Sequence, residues 1–127
     1  MDLIEYKQQS TRLMEVPFMS VSENGIIRFS KYAMDEIGLH NGDRITFYQD
    51  KKNPMDWYFK KTEEGARLRL DTSRNSICIN FSMVAKKILQ SIGTDKITRI
   101  RIATEPVEGG YYAIITRGVI GNKNITK

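Results

Sequence analysis

Hydrophobic and polar positions along this chain follow two rhythms, one of period two and one of helical spacing. From Glu15, the run Val16-Pro17-Phe18-Met19-Ser20-Val21 is strand-like, and Glu23-Asn24-Gly25 carries the Asn-Gly signal of a tight turn before Ile26-Ile27-Arg28-Phe29. This predicts a hairpin. Ser30 then stands where a helix N-cap would, since its hydroxyl can accept from an amide two or three residues on, and Ala33, Met34 and Ile37 recur at helical spacing. A short helix over 31–37 follows, ended by Gly38, which enters the left-handed region without a Cβ penalty. Asn41-Gly42 turns the chain into the β-formers Arg44-Ile45-Thr46-Phe47-Tyr48, Lys51 to Asp56 break that strand, and Trp57-Tyr58-Phe59-Lys60 begins its partner.

The second half repeats the order. Ala66-Arg67-Leu68-Arg69-Leu70 alternates as a strand whose leucines enter the core, Ser73-Arg74-Asn75-Ser76 turns, and Ile77 to Phe81 returns. Ser82 is expected to cap a helix whose Val84, Ala85, Ile88, Leu89 and Ile92 form one apolar stripe. Gly93-Thr94-Asp95 leads to a strand over Ile97 to Ile102, and Tyr111 to Thr116 forms the last one. Residues 1–14 show no clear period and read as an N-terminal arm, and 118–127 read as a loose C-terminal tail. Between them, 15–117 reads as one domain of two repeats, 15–62 and 66–117.

A fixed offset of 52 residues relates the halves without a gap. It matches Ile27 with Ile79, Phe29 with Phe81, Ser30 with Ser82, Ala33 with Ala85, Asp43 with Asp95, Ile45 with Ile97 and Thr46 with Thr98. Half of such a chain would bury too little surface to stand alone, so the two halves are expected to share one core. The fold class is therefore mainly β with two short helices, arranged as a pseudo-twofold barrel.

Composition narrows the chemistry. The chain has 127 residues, 28% of them charged and 40% apolar, the make-up of an ordinary globular domain. No apolar run is long enough to span a membrane, and the start Met1-Asp2-Leu3-Ile4-Glu5 carries acids where an export signal carries bases. Cys78 and His40 are single residues of their kinds, so neither a disulfide framework nor a zinc set can form within the chain. A cytoplasmic protein without metal or cofactor is expected. Cys78 lies in a strand-like run where a thiol is a small hydrophobe, and His40 in a polar turn. The pairs Asp35-Glu36 and Glu63-Glu64 read as solvated surface, while Asp43 and Asp95 lack a second catalytic group. No Gly-rich phosphate loop occurs. The sequence thus points away from an enzyme.

The segment Val21-Ser22-Glu23-Asn24-Gly25-Ile26-Ile27-Arg28-Phe29-Ser30-Lys31, followed by Ile37-Gly38-Leu39, Gly42-Asp43 and Ile45, resembles the AbrB/MazE/SpoVT swapped-hairpin family. That family reads V-D-x-x-G-R-[IV]-x-[IV]-P-K, a short helix, L-G-[IL]-x-x-G-D and a hairpin. The resemblance covers residues 21–47 and, more weakly, 71–101. It implies DNA-binding regulators or antitoxins, bacterial or phage, in which two copies interleave their hairpins into one barrel. Two copies on one chain are similar to the MraZ arrangement. The family's Asp is Ser22 here, the Arg after its turn glycine is Ile26, its Pro is Ser30 and its helix Arg is Met34. The second copy keeps an acid and a base as Asp71 and Arg74, but at altered spacing and without the turn glycine.

Charge gives the partner. The net +5 divides into −2 for residues 1–66 and +7 for the remaining 61. Arg67 and Arg69 alternate with leucines, and Arg99 and Arg101 flank Ile100, so each pair leaves one face of a strand. With Arg74 at a turn and Lys86-Lys87 on the helix, these seven residues form the expected contact surface for DNA phosphate. Lys51-Lys52 and Lys60-Lys61 are balanced by nearby acids. Trp57, Tyr58, Phe59, Tyr111 and Tyr112 offer rings for stacking, although alternation turns about half of them inward. The function expected is that of a DNA-binding transcription regulator. The alternative is a protein-interaction or phage-type structural module, a homo-oligomer through an edge strand or exposed aromatics, that keeps the barrel without DNA contact.

Overall fold

The Asn24-Gly25 turn closes the first hairpin. In the computed structural model, which describes residues 2–3 and 16–122, β1 (Phe18–Val21) pairs antiparallel with β2 (Ile26–Phe29). Their alternation buries Met19, Val21, Ile27 and Phe29 completely. Ser30 caps α1 (Lys31–Ile37), its hydroxyl accepting from the Ala33 N–H at 3.2 Å, and Gly38 closes that helix at φ 84°. A second hairpin joins β3 (Arg44–Gln49) to β4 (Trp57–Lys61). The second half supplies β5 (Ala66–Arg67), β6 (Arg69–Asp71), β7 (Ser76–Asn80), α2 (Ser82–Ile92), β8 (Thr98–Ile102) and β9 (Tyr112–Asn122).

All nine strands belong to one antiparallel sheet, ordered β5-β3-β4-β9-β8-β1-β2-β7-β6. The two ends are separated by Leu68 alone. Its N–H donates to the Asp43 carbonyl at 2.7 Å and its carbonyl accepts from the Gly42 N–H at 2.9 Å, so the sheet curls into a nearly closed barrel. Few free strand edges remain to template further pairing. Each hairpin of the first half lies between strands of the second: β1–β2 between β8 and β7, β3–β4 between β5 and β9.

Inside, Phe59 stacks on Tyr112 at 5.4 Å between centroids and meets Phe29 at 5.3 Å. The α2 stripe of Val84, Ala85, Ile88 and Leu89 is buried as its spacing requires. Trp57, buried in β4, donates its indole N–H to the Ser91 hydroxyl of α2 at 3.0 Å, which satisfies the one polar atom of that ring. Among the described residues, no helix is long and apolar enough to cross a membrane.

Four expectations are corrected. Leu70 is not in the core but 42% exposed, because the chain leaves β3 at Leu68 and joins β7, carrying Leu70 to a position where its N–H donates to the Asn41 side chain. Ser82 does not cap α2: Phe81 holds that position without a side-chain bond, and its carbonyl accepts from the Ala85 N–H. Residues 118–122 are not a loose tail, since β9 runs on to Asn122 and pairs with β8 through two register shifts. Finally, the ungapped offset fails after the helices. The α2 helix has 11 residues against 7 in α1, so Ile97 is 39% exposed whereas Ile45, its expected counterpart, is fully buried. Apart from residues 2 and 3, the expected arm at 1–14 lies outside the described residues, as do 123–127.

Candidate nucleic-acid interface

Strand register places the outward side chains in rows. Across β8-β1-β2-β7-β6, the register sets Arg99 beside Ser20, Ser20 beside Arg28, Arg28 beside Cys78 and Cys78 beside Arg69, with Cys78 the one member of the row that is fully buried. Arg101 stands one row away beside Phe18. Neighbouring strands are about 4.8 Å apart, so consecutive arginines in the row are separated by about 10 Å. Arg99 and Arg101 leave the outside of β8, and Arg69 leaves the outside of β6, four strands round the barrel. Arg28 completes the row.

The row deepens into a groove of about 370 Å³ lined by Phe18, Arg28, Phe29, Ser30, Lys31, Arg74, Asn75, Ser76 and Arg99. Four of these side chains are cationic and none is acidic. Arg28 is sunk to 20% side-chain exposure and held by Asp71 at 2.7 Å and by the Ser76 hydroxyl at 3.1 Å. Asp71 in turn accepts from the Ser73 hydroxyl at 2.7 Å, and these two partners, Ser73 first and Arg28 second, hold its carboxyl down to about 2. The same carboxylate also takes the Ser73 N–H at 3.2 Å, which fixes the turn after β6. That turn passes through Asn75 at φ 50°, a left-handed residue of a type that tolerates the region, and it brings Arg74 to the groove. Lys31 reaches Asp35 along α1 at 3.1 Å, and Arg99 lies over the Phe18 ring, 5.5 Å from its centroid. Guanidinium forks in such an arrangement match phosphate oxygens in pairs.

Of the seven residues singled out from sequence, the groove thus takes Arg74 and Arg99, while Arg101 stands beyond it on β8 and Arg69, on β6, donates to the Asn80 side chain at 3.2 Å. Arg67 stands round the barrel seam, directly opposite Arg44 of β3. Lys86 and Lys87 are exposed on α2 and do not line the groove. Arg28 and Lys31 were not singled out, because the net charge of the first half is negative. The alternation Ile27-Arg28-Phe29, with both apolar neighbours buried, is the signal that assigns Arg28 to the outer face.

Other candidates have different surroundings. Cys78 is fully buried, while the His40 side chain is 75% exposed at the turn after α1. Burial pushes the Asp43 carboxyl up, but the His40 backbone N–H at 2.8 Å and the Lys61 ammonium at 3.2 Å outweigh it, leaving the group below its ordinary range. Trp57 and Phe59 are core residues. Tyr58 instead faces outward beside Tyr48, and Tyr111 meets both rings edge-on, at 4.9 Å from Tyr48 and 6.3 Å from Tyr58.

No family model, curated protein or solved structure matches this chain. Fold and groove define it as a mainly β protein with two helices, built as a nearly closed antiparallel barrel that carries a basic groove on one side.

Proposed function

We propose that this chain is a non-enzymatic DNA-binding protein of transcription-regulator type, built as an AbrB-like swapped-hairpin barrel from two fused copies of one motif. The observation that carries the reading is the convergence of Arg28, Lys31, Arg74 and Arg99 on one groove without a lining carboxylate. Two cations come from each half of the chain, so the surface depends on the interleaving of the hairpins. Duplication is supported by the strand register. Ile27 pairs across β2 and β7 with Ile79, 52 residues on, and Tyr58 pairs across β4 and β9 with Ala113, 55 residues on. These are the pairs that a twofold axis through both seams would relate, once the longer α2 is allowed for. DNA phosphates lie along the outer face of β8-β1-β2-β7-β6, where Arg69, Arg99 and Arg101 meet them, while Arg67, Lys86 and Lys87 are left to long-range attraction.

Mobility-shift assays with pooled genomic duplex at low salt test the reading. Binding is expected, and Arg74→Glu with Arg99→Glu should weaken it at least about tenfold. Absence of any shift would remove the proposal.

A specific observation favours the second reading, a protein-interaction module. Tyr48, Tyr58 and Tyr111 form a cluster beside half-exposed Val107 and line a pocket of about 270 Å³. Tyrosine-rich patches of this kind are common anchors in protein interfaces. Light scattering together with the mobility shifts separates the readings, because the second gives an oligomer that Tyr48→Ala dissolves and a chain that shifts no duplex.

A further inference from the structure

We propose that the groove between β1, β2, β8 and the turn after β6 takes one unpaired nucleotide, its phosphate on Arg28, Lys31 and Arg74 and its base against Phe18. The inference rests on the reading of the outer face as a phosphate-binding surface, and it names what enters the groove.

Size comes first. A cavity of about 370 Å³ lies at the small end of ligand pockets, which span about 300–1,000 Å³, so it suits one nucleotide-sized group and not a stretch of duplex. The walls are divided in the same sense. Phe18 presents an aromatic surface on one side, and the cations Arg28, Lys31 and Arg74 stand elsewhere on the lining. Depth decides the rest. Arg28 is anchored by Asp71 and Ser76 and only 20% exposed, so a strand crossing the outer face meets Arg69, Arg99 and Arg101 first. It reaches Arg28 only by sending a nucleotide inward. Bases splayed from a stack are held on aromatic rings and guanidinium planes. Arg99 already covers the Phe18 ring at 5.5 Å from its centroid, so it swings off the ring as the base enters and then closes on the second face of that base. A paired base stays in its own stack, so the ligand is an unpaired one, presented by a bulged strand or as a free mononucleotide.

The test uses the full chain and fluorescence anisotropy on two duplexes of one sequence, fully paired or carrying one unpaired thymidine, with thymidine 5′-monophosphate as competitor. The bulged duplex is expected to bind about tenfold tighter. Phe18→Leu, which keeps an apolar side chain but no ring, should erase that difference, whereas Phe18→Tyr should keep it. Thermal melts verify that both variants fold. Competition by the mononucleotide without a bulge preference also upholds the pocket and assigns it to free nucleotides. Equal, salt-sensitive binding of both duplexes with no competition overturns the pocket and leaves the outer-face reading standing. Failure of both duplexes and the mononucleotide to bind overturns the two together.

Discussion

Gly25 offers a direct test of how the halves lock together. It sits at φ +93° in the turn between β1 and β2, and its carbonyl accepts from the Phe81 N–H at 2.8 Å, immediately before α2. A Cβ placed there would meet the Ser82 hydroxyl and come within 2.9 Å of the Ser82 Cα. Gly25→Ala therefore combines two costs: about 1–2 kcal/mol for a left-handed residue with a side chain, and about 1–3 kcal/mol for overpacking against backbone that cannot rotate away. A loss of about 2–5 kcal/mol is expected, a large share of the stability of a small domain. Urea unfolding monitored by tryptophan fluorescence measures it, with the slope required to stay constant. Ser82→Gly removes the hydroxyl and Cβ but leaves the Cα, so in the double variant it should recover part of the overpacking cost. A loss below about 0.5 kcal/mol for Gly25→Ala, or strict additivity in the double variant, would refute the argument that this turn is wedged against the second half.

The remaining predictions concern the groove. Asp71 has its carboxyl lowered from 3.8 to about 2, so its contribution to stability is complete above 3.8 and is lost as pH falls through about 2. Asp71→Asn should flatten that acid limb in a pH series of unfolding curves. The same change makes the chain more positive yet frees Arg28 and the turn carrying Arg74, so weaker DNA binding in anisotropy marks Asp71 as a positioning residue, and stronger binding would mean that only charge counts. Arg99→Glu should cut affinity and lower the salt slope by at least about one. Arg67→Glu should affect binding far less and raise stability by about 0.2–1 kcal/mol, because it replaces the like-charge pair with Arg44 by an opposite one.

Local signals made much of the barrel readable. Asn24-Gly25, the Ser30 cap and Gly38 each fix a backbone conformation within a few residues, and the structure keeps all three. The course of residues 66–71 was not readable in this way. Their alternation is that of one strand, but Leu68 divides it between two neighbours, and which strands lie opposite is a property of the closed barrel. Helix length misled in a similar manner. The spacing through Asp43 and Asp95 looks ungapped, yet α2 has 11 residues against 7 in α1, and Ile97 is exposed where Ile45 is buried. The groove was half legible. Net charge by halves pointed to Arg74 and Arg99 but hid Arg28 and Lys31, since a sum over the chain does not register which cations the interleaved hairpins bring side by side.

The salt dependence of DNA binding tests the central proposal most directly. If duplex phosphates engage the exposed Arg69, Arg74, Arg99 and Arg101, the logarithm of the association constant should fall with the logarithm of salt concentration at a slope of about −3 to −4. Anisotropy titrations of the intact chain across a salt series give that slope, and Arg74→Glu with Arg99→Glu should bring it to about −2 or shallower. Binding that ignores salt, or a slope unmoved by the two substitutions, would contradict the assignment of the basic groove to nucleic acid.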